Sequence, residues 1–434
     1  MKYVIIGNGI AGTNALESIR RFDTEGEITV FGDETLPPYC RPMISHLLEG
    51  AIGPERLPVR SRDFYEKYRV DAMLGQRISA IDVDQKQVAL PTGEAFSYDR
   101  LLLASGADPR PVDADGTDLE NIFYMRTEAQ VRAMVDRLPD VRHALVLGGG
   151  LVGFKAAYGL LCRNIAVTML IGSGYPLSMQ VDKTAGKMIQ TVLEEKGLEV
   201  RTGVSVVAFE GNGRVRKALL SDGSRISCGL VVIGKGVSPA GGFLPADRVD
   251  METGILVNAR METSCPDIYA AGDVAECLDI ARGYYRVNAI WPEAVSQGRV
   301  AGMNMAGIQN DYRGSVSRNV IRIFDLDVMS GGTLDERDMD DTCRTVVFED
   351  RRRRIYRKLM LKGDILIGFV LVGRIDVGGI LASQIQSSMP VVLSDSELAS
   401  PDLNFARIYS RARYGDGRFS FRHYGSNSHT EDAS

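Results

Sequence analysis

This chain has few of the residues from which metal centres and redox disulfides are built. Its 434 residues include only six cysteines and four histidines. No two cysteines stand in a CxxC or CxxxxC spacing, and the histidines are scattered along the chain. These spacings indicate neither a metal site nor an iron–sulfur cluster belonging to the chain itself. Any redox chemistry must then come from a bound organic cofactor.

Long apolar runs and an excess of basic residues are also missing. No uninterrupted apolar stretch reaches the roughly 18 to 20 residues that span a bilayer, and the N-terminus enters a strand pattern without a signal-peptide layout. We therefore expect a cytoplasmic protein. The net charge of −5 gives no reason to expect a nucleic-acid partner. With 44% hydrophobic and 25% charged residues, the chain is typical of globular proteins with two or three domains.

A glycine motif opens the chain. The apolar run 2–6 leads into Gly7, Gly9 and Gly12, which are spaced GxGxxG, and a helical pattern follows. In this β-turn-α layout the first glycine permits a tight turn, the second lets a phosphate approach bare backbone, and the third allows the helix to pack closely on the strand. The amides of the helix N-terminus then face the anion. The motif predicts a site for a dinucleotide pyrophosphate.

Four further stretches are candidates to line the same cofactor. Asp33 and Glu34 follow the next predicted strand at the distance, about 20 residues, from which a carboxylate reaches a ribose hydroxyl. Arg41, in a proline-stiffened loop, either contacts a cofactor oxygen or is a solvated surface residue. The small residues 104–106 follow a buried strand and suggest backbone laid against a ligand. Asp273 either caps a helix or accepts a hydrogen bond from the ligand.

The glycine pattern occurs a second time. An apolar run at 144–147 precedes Gly148, Gly150 and Gly153, which repeat the GxGxxG spacing ahead of another helix. A chain with two such folds can hold one dinucleotide in each, face to face for hydride transfer. The second strand of this copy ends at Ile171, with neither an acid for a ribose 2′-hydroxyl nor an arginine for a 2′-phosphate. The sequence therefore makes no choice between NADH and NADPH.

The pattern changes again from residue 321 onward. Strand patterns at 346–348, 355–361 and 365–372 precede a helix at 379–388. They predict a separate α+β domain. The last residues, 425–434, are polar and are expected to fray.

Together these motifs resemble the FAD-dependent pyridine nucleotide-disulfide oxidoreductase family and, within it, the rubredoxin and ferredoxin reductase branch. The likeness is carried by the two glycine motifs, the Pro-Pro-Tyr-Cys-Arg-Pro loop at 37–42, and the stretches 104–110 and 269–275. It covers nearly the whole chain. It implies an α/β fold class with two Rossmann-like dinucleotide-binding domains, for FAD and NAD(P), plus a C-terminal α+β interface domain.

The resemblance also assigns domains and cofactor residues. It implies a discontinuous FAD-binding domain at 1–110 and 242–317, an NAD(P)-binding domain at 111–241, and the interface domain with its polar tail at 318–434. In this context Asp273 becomes a flavin contact rather than a helix cap. The expected FAD-binding residues are Gly7, Gly9, Ile10, Ala11, Gly12, Asp33, Glu34, Arg41, Pro42, Ala104, Ser105, Gly106, Arg110, Gly272 and Asp273. The expected NAD(P)H-binding residues are Gly148, Gly150, Leu151, Val152 and Gly153.

The predicted activity is that of an FAD-dependent NAD(P)H:acceptor oxidoreductase. The flavin is needed because nicotinamide moves two electrons together, whereas a rubredoxin, ferredoxin or other iron–sulfur centre moves one. No catalytic side chain is required. We expect such an electron carrier as the partner, in a transient or a stable complex, and a homodimer is one open assembly.

Departures from the family pattern leave alternatives open. Lys155 and Ile171 stand where the family has acids on the nicotinamide helix and at the ribose site, and they favour an FAD-bearing subunit of a larger redox complex. Cys40 is the residue on which a disulfide or peroxide reductase would depend, although its sequence setting favours a structural cysteine. The arginine run 351–354 either docks an acidic partner or forms a solvated loop.

Overall fold

A computed structural model describes residues 1–245, 247–335 and 338–404. The predicted polar tail, residues 425–434, lies outside the described residues. Within 1–110 the strands are β1 (Lys2–Ile6), β2 (Glu27–Gly32), β3 (Val70–Leu74), β4 (Ala80–Asp82), β5 (Gln87–Ala89), β6 (Ala95–Ser97), β7 (Arg100–Leu103) and β8 (Ala107–Pro109). The helices of this part are α1 (Ile10–Phe22), α2 (Ile44–Glu49) and α3 (Phe64–Lys67), with 3₁₀ turns at Arg41–Met43 and Pro54–Arg56.

The middle of the chain begins with β9 (Ile122–Tyr124). It continues through α4 (Glu128–Arg137), a 3₁₀ turn (Leu138–Asp140), β10 (His143–Leu147), α5 (Leu151–Cys162), β11 (Ala166–Ile171) and α6 (Lys183–Glu195). The strands that follow are β12 (Glu199–Thr202), β13 (Val206–Asn212), β14 (Arg214–Leu220), β15 (Arg225–Ser227), β16 (Leu230–Ile233) and β17 (Val237–Pro239).

The remaining elements return to the first fold and then build the C-terminal part. They are β18 (Ile255–Leu256), β19 (Ile268–Ala270), β20 (Ala275–Asp279), β21 (Tyr284–Arg286) and α7 (Trp291–Met305). The C-terminal elements are β22 (Arg318–Ile323), β23 (Leu326–Gly332), β24 (Cys343–Asp350), β25 (Ile355–Lys362), β26 (Ile365–Val372), α8 (Gly378–Ser387) and α9 (Asp395–Leu398).

Two parallel sheets of the same topology carry the two glycine motifs. The first has the order β19-β7-β1-β2-β3 and the second the order β9-β16-β10-β11-β12. The strand before each motif is central in its sheet, and its apolar residues are buried on both faces, as parallel sheets require. In both sheets the motif follows the strand at the point where the order of the strands reverses. Ligands bind at such points in open α/β sheets.

Close packing of two helices supports the first motif. Helices α1 and α7 lie side by side, and glycines on α7 face the backbone of α1. A Cβ on Gly298 would lie 2.2 Å from the Ala11 carbonyl oxygen, and one on Gly302 would lie 2.3 Å from that of Ala15. Because α7 belongs to the segment after residue 242, this contact returns the late part of the chain to the first fold.

One predicted strand begins later in the structure than in the sequence pattern. The pattern predicts a strand over residues 98–103, and β7 covers residues 100–103. The preceding strand β6 pairs antiparallel with β5, whereas β7 pairs parallel with β1. Tyr98, buried between the two strands, lies where the chain passes from one sheet to the other. The predicted start is therefore two residues early, because residues 98 and 99 connect the two sheets.

Helix α2 follows the first motif in sequence but packs on the second fold. Ile44 and Leu48 belong to the buried cluster that contains Ala156 and Leu160 of α5. Arg163, which follows α5, donates from Nε to the Leu48 carbonyl at 2.9 Å and so satisfies a carbonyl at the end of α2. Helix α2 therefore joins the two dinucleotide folds.

The C-terminal sheet is antiparallel, with the order β22-β23-β26-β25-β24. Helix α8 packs against it through Leu381 and Ile385. Arg282 joins this part to the first fold, since it pairs with Asp279 at 2.9 Å and with Asp338 at 3.1 Å. No helix in the described ranges is long and apolar enough to cross a membrane.

Candidate functional site: two dinucleotide cradles and the loop between them

The first glycine motif has the geometry of a phosphate cradle. Gly7 has a φ of +120°, and a Cβ there would lie 2.0 Å from the Ala104 carbonyl oxygen. A Cβ on Gly12 would lie 2.1 Å from the Gly7 carbonyl oxygen. By contrast, a Cβ on Gly9 would meet no atom of the described chain within 4 Å. Gly7 and Gly12 are therefore required by packing, and Gly9 leaves open space at the N-terminus of α1.

The second motif repeats this geometry position by position. Gly148 has a φ of +105°, and its Cβ would lie 2.3 Å from the Gly234 carbonyl oxygen. A Cβ on Gly153 would lie 1.9 Å from the Gly148 carbonyl oxygen, while one on Gly150 would meet nothing described within 4 Å. Among the described residues no side chain caps α1 or α5. Both N-termini therefore present free amides and a positive dipole end to an anion.

Glu34 organises the predicted flavin side of the first cradle. Its carboxylate accepts from Arg41 at 2.6 Å and from the Tyr39 hydroxyl at 2.8 Å. Arg41 also donates from Nη1 to the Arg126 carbonyl at 2.6 Å. Burial raises the pKa of Tyr39, so that its hydroxyl stays a donor. Arg41 is thus a half-buried, paired side chain and not a freely solvated one.

Arg126 joins the predicted residues on this side. Its Nη2 lies 3.1 Å from Asp273 Oδ2, and a Cβ on Gly106 would lie 3.5 Å from the same Nη2. Gly272 has a φ of +86° and donates its amide to Gln297 Oε1 at 2.7 Å. Sequence reasoning missed Tyr39 and Arg126 as members of this cluster. In the sequence, Arg126 stands directly before Thr127, which begins the capping box of α4.

The structure separates a few predicted residues from this cluster. Arg110 is exposed and donates from Nε to the Val237 carbonyl at 3.0 Å, in the crossover between the two folds. Ser105 donates to the Ala240 carbonyl at 2.7 Å in the same crossover. Asp33 and Pro42 are exposed. Apart from Glu34 and Arg41, described above, the remaining predicted FAD residues lie along the first motif, the 104–106 turn and the Asp273 loop.

In the described part of the chain, strand β11 of the second cradle ends in an uncharged residue. Ile171 is buried, and a Cβ on Gly149 would lie 2.9 Å from its Cδ1 atom. Ser173 donates to the Tyr175 carbonyl at 3.0 Å. The end of β11 is therefore apolar or neutral. It offers neither a carboxylate nor an arginine to select between NADH and NADPH.

Cys40 and Lys155 are close enough to influence each other electrostatically. Burial raises the pKa of the Cys40 thiol, and the Met43 amide and Lys155 act against it without reversing the shift. Burial also lowers the pKa of Lys155. A reactive cysteine needs a lowered pKa. The surroundings of Cys40 therefore do not favour a thiolate at neutral pH.

The residues present fit a flavin dinucleotide. The cradle at Gly9 leaves room for a pyrophosphate, and Arg126 and Asp273 offer a donor and an acceptor farther along the sheet edge. A flavin bound there would accept two electrons from nicotinamide and release them singly. The protein itself contributes binding, orientation and local charge.

Comparisons with known proteins agree with this arrangement. Residues 1–298 match the family model described as pyridine nucleotide-disulphide oxidoreductase, and residues 318–389 match the rubredoxin NAD+ reductase C-terminal domain. The NADH-dependent phenylglyoxylate dehydrogenase subunit epsilon of Aromatoleum evansii is 31% identical over 386 residues, which cover 88% of this chain and 91% of that protein.

Two further matches cover different shares of the proteins compared. The assimilatory nitrate reductase electron transfer subunit of Bacillus subtilis is 29% identical over 374 residues, 86% of this chain and 47% of that protein. The crystal structure of the covalent putidaredoxin reductase–putidaredoxin complex matches with 26% identity and a TM-score of 0.86, over 95% of this chain and 98% of the other. The chain spans about half the length, 47%, of the first curated relatives that it matches.

These matches confirm the predicted branch and the α/β fold class with its C-terminal domain. They also confirm FAD and NAD(P)H as the cofactors. By both its glycine cradles and its matches, the chain belongs to the pyridine nucleotide-disulphide oxidoreductase family.

Proposed function

We propose that this protein transfers electrons from NAD(P)H, through FAD, to a protein that carries a one-electron centre. The observation that carries the proposal is the repeated cradle, in which Gly9 and Gly150 both leave open space at an uncapped helix N-terminus. Two cradles joined by one crossover can hold two dinucleotides for hydride transfer. The acceptor class follows from relatives whose names include electron transfer and putidaredoxin reductase.

The proposal assigns each fold a cofactor. FAD would be bound by residues 1–110 and 242–317, which are supported as one unit by the pairing of β19 with β7 and the contact of α7 with α1. NAD(P)H would be bound by 111–241, and 318–434 would form the interface domain. We also propose a cytoplasmic location, where reduced nicotinamide is available to it.

The chain's own residues would bind and orient the cofactors. Free amides at the start of α1 and α5 would hold the pyrophosphates, and the Arg126–Asp273 pair would hydrogen-bond the flavin side. Arg41 and Tyr39 would keep the loop beside the flavin rigid through Glu34. No described side chain needs to donate or accept a proton.

The experiment is anaerobic mixing of purified protein with NADH, and separately with NADPH, while the visible flavin absorbance is followed. We expect the absorbance to bleach and then to return when an oxidised rubredoxin or [2Fe–2S] ferredoxin is added. Reoxidation by a disulfide or by peroxide, but not by either carrier, would contradict the proposal. A freshly purified chain that contains no flavin and takes none up would end it.

A second candidate is an FAD-bearing electron-transfer subunit of a larger redox complex. Two relatives are named as subunits, and Ile171 leaves the nicotinamide cradle without a charged ribose partner. Purification from the native source at natural abundance separates the two candidates. Constant stoichiometry with other polypeptides, together with bleaching only in that complex, would favour the subunit.

A further inference from the structure

We propose that Lys155 tunes the flavin: its ammonium group lies beside the loop that carries Cys40 and Arg41, and it stabilises the negative charge that the flavin gains on reduction. This inference rests on the proposed function, because it requires bound FAD. It gives a role to a residue whose charge is opposite to that of the acid in the family pattern.

One face of α5 defines where Lys155 points. Lys155, Gly159 and Arg163 are spaced four residues apart and so share a helix face. A Cβ on Gly159 would lie 3.1 Å from Leu48 Cγ, and Arg163 donates to the Leu48 carbonyl at 2.9 Å. This face packs on helix α2, which follows Arg41 in the chain. Lys155 lies on it one turn closer to the second glycine motif.

Cys40 connects this helix face with the cofactor cluster. The Cys40 thiol and the Lys155 ammonium are close enough to influence each other electrostatically. The next residue, Arg41, belongs to the cluster, where it pairs with Glu34 and donates to the Arg126 carbonyl. Lys155 is therefore separated by one loop from the side chains expected around the flavin.

The charge of Lys155 has no compensating carboxylate in the described part of the chain. Its side chain is half-buried, and no described Asp or Glu lies within ion-pair distance. It also lies in the second turn of α5, near the positive end of the helix dipole. A half-buried, unpaired cation in this position destabilises the protein. An anion bound beside Lys155 would offset that cost.

A reduced flavin is such an anion. When an oxidised flavin takes up two electrons and one proton, its ring gains one negative charge, and a nearby cation raises its reduction potential. The cofactor pyrophosphates are also anionic, but the open N-termini of α1 and α5 already provide for them. The flavin ring is therefore the anion that we assign to Lys155.

The affinity of the bound flavin for sulfite measures this stabilisation without catalytic turnover. Sulfite adds to N5 of an oxidised flavin, where its electron pair forms an N–S bond and leaves the ring anionic. We expect Lys155→Gln to raise the Kd for sulfite about tenfold, which for a two-electron couple corresponds to about 30 mV in midpoint potential. Lys155→Arg retains the charge and should stay close to the unmodified protein. Lys187→Gln, an exposed lysine on α6, is the matched control.

Flavin content, measured first, separates the two proposals. A protein without flavin would contradict the proposed function, whereas a fully loaded Lys155→Gln variant with unchanged sulfite affinity and potential would overturn the role of Lys155. A variant that binds NAD(P)H more weakly but keeps its sulfite affinity would also overturn it, because Lys155 would then serve the nicotinamide. If Lys155→Gln does not fold, Lys155→Met and Lys155→Arg provide the same comparison.

Discussion

Gly9 and Gly12 belong to one motif but do different things. The Cβ of any other residue at position 12 would lie 2.1 Å from a backbone oxygen, whereas at position 9 it would enter open space. The backbone of Gly9 has a φ of −80° and a ψ of −175°, which any residue can adopt. Gly12 therefore serves the fold, and Gly9 is free to serve the ligand.

This difference predicts two separable variants. Gly9→Val should change the free energy of unfolding by less than about 1 kcal/mol but should abolish FAD binding, since the side chain would fill the space of the pyrophosphate. Gly12→Val should destabilise the protein by about 3 kcal/mol through overpacking. Chemical denaturation and the ratio of flavin to protein absorbance measure both effects. A Gly9→Val protein that retains stoichiometric FAD would contradict the assignment.

At the scale of elements, Asp182 connects a helix of the second fold with the C-terminal sheet. Its Oδ1 accepts from the Ala185 amide at 3.0 Å and caps α6. Its Oδ2 accepts from the Tyr356 hydroxyl at 2.6 Å and lies 3.4 Å from Lys358 Nζ. One carboxylate thus begins a helix and fixes β25 to it.

Asp182→Ala should lower the free energy of unfolding by about 2 to 4 kcal/mol, because it removes the cap and leaves two largely buried polar groups without their partner. Asp182→Asn retains a good capping side chain and loses only the charge. We expect it to cost about 1 kcal/mol less than the alanine variant. Denaturant titration of both proteins measures the difference. Equal destabilisation would mean that the cap contributes nothing.

At the scale of the whole molecule, the arginine run is largely neutralised by its own surroundings. Arg351 pairs with Glu349 at 2.6 Å, Arg353 with Asp350 at 3.7 Å, and Arg354 with Glu195 at 2.8 Å. The chain also has a net charge of −5. Steering of an acidic partner needs an unbalanced positive field. The run therefore has the properties of a solvated, internally paired turn.

The double variant Arg351→Gln, Arg353→Gln tests this interpretation. We expect the KM for an acidic iron–sulfur acceptor to change by less than about twofold at low salt, because exposed ion pairs contribute little net charge. Steady-state reduction of the acceptor at several ionic strengths measures it. A large rise in KM that disappears at high salt would identify the run as a docking surface.

The sequence by itself determined the two cradles, because a strand, a GxGxxG turn and a helix follow one another directly in the sequence. It also indicated the α+β character of the C-terminal domain. It could not place Arg126 beside Asp273, which lies 147 residues away, or assign β6 and β7, the strands on either side of Tyr98, to two different sheets. It likewise could not predict that Lys155 would come within electrostatic reach of Cys40. These arrangements depend on packing between distant segments, which only the tertiary structure decides.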